Sequence, residues 1–190
     1  MNTSYLFLAT GFEELEAITV VDVLRRAGMN VKTVSITGSL TVVGAHGIPL
    51  VADQLYEETD FITPEWLILP GGMPGAVNLS EFASLNTLLI NQAEAGKIAA
   101  ICASPAVVLA PLGILDSKEA TCYPGFEEKM TNAIVRDTPV VATPRLITAN
   151  GPSAAMRFAL AIVQESCGEA VAQETGSAML FYPKHVHFYF

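Results

Sequence analysis

Hydrophobic positions along this chain fall into two alternating patterns. Short, nearly continuous apolar runs occupy residues 4–9, 30–36, 65–69 and 97–101, with another at 146–148, and runs of that length bounded by turn residues predict strands buried on both faces. Between them, apolar residues recur at helical spacing over residues 13–27, 84–94, 104–110, 153–167 and 169–180. Gly28 and Gly168 close two of these helices as stop signals. The alternation predicts an α/β fold: a mostly parallel sheet sandwiched in three layers, with helices on both faces. Residues 41–43 and 48–52 predict a small hairpin around the turn 44–47, outside the main sheet. Ligands of open α/β sheets bind beyond the carboxyl ends of strands. That singles out three loops, at residues 10–16, 70–76 and 102–105.

Composition narrows the functional classes. The chain has 190 residues, 51% of them apolar and 15% charged, with a net charge of −9, which suits a packed globular domain and disfavours binding to nucleic acid or anionic membranes. One domain is expected over residues 1–180, followed by an aromatic tail at 181–190 whose rings argue for docking on the body or on a partner. Residues 1–9 lack the basic flank and length of a signal peptide, and no apolar run approaches the ~18 residues of a membrane span. A cytoplasmic protein is expected. The three cysteines, Cys102, Cys122 and Cys167, are odd in number and lack metal-type spacing, which fits a reducing compartment.

The chemistry centres on Cys102. The run Ile98-Ala99-Ala100-Ile101 leads into Cys102-Ala103-Ser104-Pro105 and a helical pattern, which reads as strand, sharp turn and helix start with small residues beside the sulfur. A helix N-terminus there would favour the thiolate. The bland alternative is an inert core thiol, since cysteine is among the most buried residue types. In the first helix, Glu13 and Glu14 are expected to complement the dipole and stay solvated. Glu16 differs, because it shares a helix face with Val20, Val23, Leu24 and Ala27. A carboxyl in such a stripe is partly desolvated, holds its proton to higher pH and can shuttle it to and from a thiolate. The loop Pro70-Gly71-Gly72-Met73-Pro74-Gly75 matches neither a dinucleotide fingerprint nor a phosphate loop. Its paired glycines allow close backbone approach, and the Gly72 amide with that of Ala103 would form an oxyanion hole.

Together, Gly11-Phe12-Glu13-Glu14-Leu15-Glu16, Val21-Asp22-Val23-Leu24-Arg25-Arg26-Ala27-Gly28, Leu69-Pro70-Gly71-Gly72, Gly75-Ala76-Val77-Asn78-Leu79, Ala99-Ala100-Ile101-Cys102-Ala103-Ser104-Pro105 and Gly151-Pro152-Ser153 resemble the ThiJ/PfpI superfamily, close to its DJ-one branch. The resemblance implies a flavodoxin-like sandwich, a homodimer, and an elbow cysteine, Cys102, paired with a protonated glutamate, Glu16, with the amides of Gly72 and Ala103 facing the sulfur and Gly71 beside them. It implies a cofactor-independent glyoxalase or deglycase acting on small carbonyl substrates, 2-oxoaldehydes or their adducts. The alternative is a redox-responsive stress or chaperone protein whose cysteine is oxidised to a sulfinate.

Departures from the family pattern matter as well. Where the family often has histidine, this chain has Tyr123 in Thr121-Cys122-Tyr123-Pro124; a phenol is no base near neutral pH, yet it can orient a substrate by hydrogen bonding. Ala103 stands where protease-like members carry a histidine, so protease and amidotransferase readings are disfavoured. His46 falls where the family faces its dimer partner, or is simply a solvated turn residue. His185 and His187 share one face of an extended tail, but two ligands do not define a site and no metal is assigned. Cys122 and Cys167 are expected to pack as small hydrophobes, although the nearness of Cys122 to the pocket through Tyr123 leaves a bond to Cys102 open.

Overall fold

The computed structural model describes residues 2–182. In chain order the elements are β1 (Ser4–Leu8), α1 (Glu14–Arg26), β2 (Val31–Ser35), β3 (Thr41–Val43), β4 (Pro49–Val51), β5 (Gln54–Leu55), β6 (Trp66–Leu69), α2 (Gly75–Glu81), α3 (Ala83–Ala95), β7 (Lys97–Ile101), β8 (Glu119–Ala120), β9 (Ile134–Val135), β10 (Val140–Thr143), β11 (Leu146–Ala149), α4 (Ala155–Cys167) and α5 (Glu169–Ala178). Seven strands form one sheet in the order β10-β11-β7-β6-β1-β2-β5. Every pairing in it is parallel except β10 with β11. The hairpin β3–β4 stands apart and is antiparallel, as its sequence predicts.

Strand periodicity of two sends alternate residues to opposite faces. Leu6, Leu8, Trp66, Ile68, Ala99 and Ile101 join a core with Val20, Val23, Leu24, Phe158 and Ile162 of α1 and α4. Phe7, Leu67, Leu69, Ile98 and Ala100 join a second core with Leu79, Leu85, Leu89 and Leu109. This is the mostly parallel flavodoxin-like sandwich that the apolar runs imply. The central strands are buried along their whole length, which is why they lack the alternation of a half-exposed strand.

Two expectations need correction, and one possibility left open by the sequence closes. The helix expected over 104–110 is a five-residue π-helical turn, Pro105–Leu109, with Ala110 N–H bonded to the Pro105 carbonyl; such a short turn has little macrodipole to offer. Glu13 and Glu14 are not solvated. The loop between β3 and β4 folds over the start of α1, so that Glu14 Oε1 accepts the amides of His46 at 2.8 Å and Ile48 at 3.3 Å while Oε2 meets the His46 ring at 2.9 Å. The open bond between Cys102 and Cys122 is also disfavoured, since both thiols are free and pack in cores on opposite faces of the sheet. In the aromatic stretch, Phe181 donates its N–H to the Gly176 carbonyl and Tyr182 lies against Gly176. His185 and His187 lie outside the described residues.

Candidate active site at the Cys102 elbow

Cys102 follows β7 at the carboxyl edge of the sheet with φ +64°, a left-handed backbone that is uncommon for a residue bearing a Cβ and characteristic of strained functional turns. Neighbours far away in sequence hold it there. The Cys102 amide donates to the Ala149 carbonyl at 2.8 Å, and its own carbonyl accepts the Tyr123 amide at 2.8 Å. Ser104 Oγ donates to the Pro70 carbonyl at 2.6 Å, tying the elbow to the glycine loop.

That loop interlocks with the one after β1. Glu13 N–H donates to the Gly71 carbonyl at 2.9 Å and Gly75 N–H to the Gly11 carbonyl at 3.1 Å. Gly72, at φ +91°, has no room for a side chain, because a Cβ would lie 2.5 Å from the Gly11 oxygen. This contact fixes α1 and therefore Glu16, which is fully buried. Glu16 Oε2 accepts the Gly71 amide at 2.6 Å. Its Oε1 is sealed from solvent and takes no other hydrogen bond, while the carboxyl faces the Cys102 sulfur.

Electrostatics couple the two groups. Burial pushes the Glu16 carboxyl up to about 7, against the pull of the Gly71 amide and the Cys102 thiol, and the charge of Glu13 adds to the rise. Burial and then the Glu16 charge push the Cys102 thiol up to about 12, although the Gly72 and Ala103 amides favour the thiolate. The expectation of a thiolate set free by a helix dipole is therefore corrected: desolvation and the neighbouring carboxylate outweigh it. The pair resists carrying two negative charges and behaves as a unit sharing one proton. With that proton on Glu16, the sulfur is anionic, faces two N–H donors and has an acid beside it.

The expected site residues Cys102, Glu16, Gly71, Gly72 and Ala103 thus come together. Tyr123 reaches them through its backbone, and its ring lies over Gly151. Ser104 and Gly151 escape a reading based on residue type, since neither carries an obvious reactive group. Glu13, Glu14 and His46 bring ligand-type atoms within 4.8 Å of one another. Both Glu14 oxygens are already engaged, however, and the cluster staples the hairpin to α1. Burial pushes Glu14 up, but its hydrogen bonds to His46 and Ile48 prevail and hold it below the ordinary glutamate range.

A cysteine on a strained turn, with a buried acid and two amides at the edge of a flavodoxin-like sheet, defines a nucleophile-elbow protein. The chain belongs to the DJ-1/PfpI family, whose model matches residues 3–165. It is 38% identical to Protein DJ-1 homolog B of Arabidopsis thaliana over 174 residues, covering 91% of this chain but 40% of that relative, so it spans less than half the relative's length. It is 39% identical to the glutathione-independent glyoxalase DJR-1.2 of Caenorhabditis elegans over 157 residues, covering 80% of this chain and 81% of the relative. Among solved structures, oxidised Toxoplasma gondii DJ-1 superposes with a TM-score of 0.89 at 32% identity, covering 95% of this chain and 98% of that one. Among the described residues, no helix is long and apolar enough to cross a membrane.

Proposed function

We propose that this chain is a cofactor-independent glyoxalase that converts 2-oxoaldehydes, free or released from their adducts as in a deglycase, into 2-hydroxy acids. The observation that carries the reading is the buried Glu16 carboxyl set against Cys102 with the Gly71 amide on its outer oxygen. The Cys102 thiolate attacks the aldehyde carbon, a carbon–sulfur bond forms, and the carbonyl electrons move to an oxyanion facing the Gly72 and Ala103 amides, which Glu16 then protonates. As a carboxylate, Glu16 removes the hydrogen from that carbon and returns it to the adjacent one, while the hydroxyl proton passes to the second carbonyl oxygen, leaving a 2-hydroxyacyl thioester. Water cleaves the thioester and regenerates the thiol, so the sum is oxoaldehyde plus water to hydroxy acid. The worm relative's name as a glyoxalase supports the assignment. Lactate production from methylglyoxal is expected to fall to the uncatalysed rate in Cys102→Ser, followed by chiral lactate analysis; an unchanged rate removes the mechanism.

A second reading rests on the two amides at the sulfur, which would stabilise a sulfinate as well as an oxyanion, and on the oxidised state of the Toxoplasma relative. It requires selective gain of two oxygens at Cys102 under peroxide, read by intact mass. The working unit in either reading is a homodimer. Leu15 and Ile18 on α1 and Ile48 and Val51 of the hairpin are exposed, and Ile18 and Val51 line one groove with Val21 and Leu50. The groove is edged by Asp22 and by the Arg25–Asp53 ion pair, and an apolar strip with a charged rim suits association with a second copy. Val51→Glu is expected to shift the sedimentation mass from two chains to one, whereas an unshifted dimer places the interface elsewhere.

A further inference from the structure

Tyr123 remains once Cys102, Glu16 and the amides have been given roles. Its N–H donates to the Cys102 carbonyl at 2.8 Å, which ties it directly to the elbow. Its ring leans over Gly151, where a Cβ would lie 3.3 Å from Cδ2 and 3.5 Å from Cε2. Gly151 follows β11, the strand whose Ala149 carbonyl holds the Cys102 amide, so ring and elbow share one corner of the sheet edge. Phe126 props the ring edge-on, with centroids 6.3 Å apart and planes at 79°. Although supported from two sides, Tyr123 is 44% exposed.

A flat apolar surface is therefore held open beside the elbow. A ring face attracts another ring by stacking. We infer that Tyr123 makes this site selective for 2-oxoaldehydes bearing an aromatic group, the arylglyoxals, over methylglyoxal. The inference rests on the glyoxalase reading and adds its substrate class. The bond changes are those already given, with an aryl 2-hydroxy acid as product and no oxidant or reductant consumed.

The test compares phenylglyoxal with methylglyoxal on the full chain, following mandelate and lactate, and reads the ratio of the two kcat/KM values so that intrinsic substrate reactivity cancels between variants. Tyr123→Leu is expected to lower the phenylglyoxal-to-methylglyoxal ratio about three- to tenfold, the range of one ring–ring contact. Tyr123→Phe, which keeps the ring, should hold the ratio within about twofold. Should Tyr123→Leu fail to fold, Tyr123→Ser is read in its place and the same fall is expected. An unchanged ratio in the variant lacking the ring, with both substrates still consumed, overturns the inference and leaves the glyoxalase reading standing. An equal fall in Tyr123→Phe assigns the preference to the hydroxyl and also overturns it. If the unsubstituted protein, with Cys102 free, consumes neither substrate, the glyoxalase reading fails first and takes this inference with it.

Discussion

A Glu16→Gln variant is expected to be more stable than the natural protein at pH 8 and at the same time to turn over far more slowly. Unfolded, the Glu16 carboxyl ionises near 4.5; folded, it ionises near 7, mainly because it is buried. Between those values the folded chain keeps a proton that the unfolded chain has released. The stabilising contribution is therefore complete below pH 4.5 and is lost as the pH rises through 7. The separation corresponds to about 3 kcal/mol, or roughly 6–12 °C in Tm for a chain of this size. Glutamine carries no charge to desolvate and retains an oxygen for the Gly71 amide, so its stability should be flat across that window. Thermal melts of both proteins at pH 4.5 and pH 8 should diverge only at the higher pH. Loss of the proton carrier should lower kcat by at least about 100-fold. Parallel melting curves at both pH values would show that the carboxyl is not buried as described.

Gly71→Ala tests the same corner by steric means. A Cβ there would overlap Cys102 Cβ and lie 2.8 Å from Glu16 Oε2 and 2.9 Å from the sulfur. The elbow cannot yield freely, being held by hydrogen bonds to Ala149 and Tyr123, so the strain falls on the reacting pair. Overpacking of this kind costs about 1–3 kcal/mol, measurable as a lowered urea midpoint. A displacement of about 1 Å between nucleophile and acid costs about 100-fold in rate. Gly28→Ala is the comparison: its Cβ meets nothing within 4 Å although φ is +79°, so it should lose some stability to backbone strain and keep full turnover. Wild-type rates in Gly71→Ala would separate the cysteine from its acid.

Much of this architecture is legible in the sequence, for reasons that differ from element to element. β1, β6 and β7 announce themselves because both faces are buried and no polar residue interrupts them. Cys102 stands out at the end of one such strand, and Glu16 stands out because a charge within an apolar helical stripe has no ordinary explanation. β5 and β10 do not show, since edge strands of two and four residues carry little pattern. α2 is hidden by its seven-residue length and its start at Pro74 and Gly75, which read as loop. The burial of Glu14 depends on a hairpin 32 residues away, a separation that local periodicity does not register. The thiol's high proton affinity is hidden from the sequence for a related reason: a helix start can be seen in a sequence, whereas the desolvation that opposes it is a property of the assembled core.

The supports of the Cys102 backbone have a consequence for the life of the chain. Its amide rests on Ala149 and its carbonyl on Tyr123, both made later in synthesis than the cysteine they restrain. Until those segments dock, the emerging polypeptide carries an ordinary thiol, and the sulfur meets its two amide donors and its buried acid only after β11 has joined the sheet.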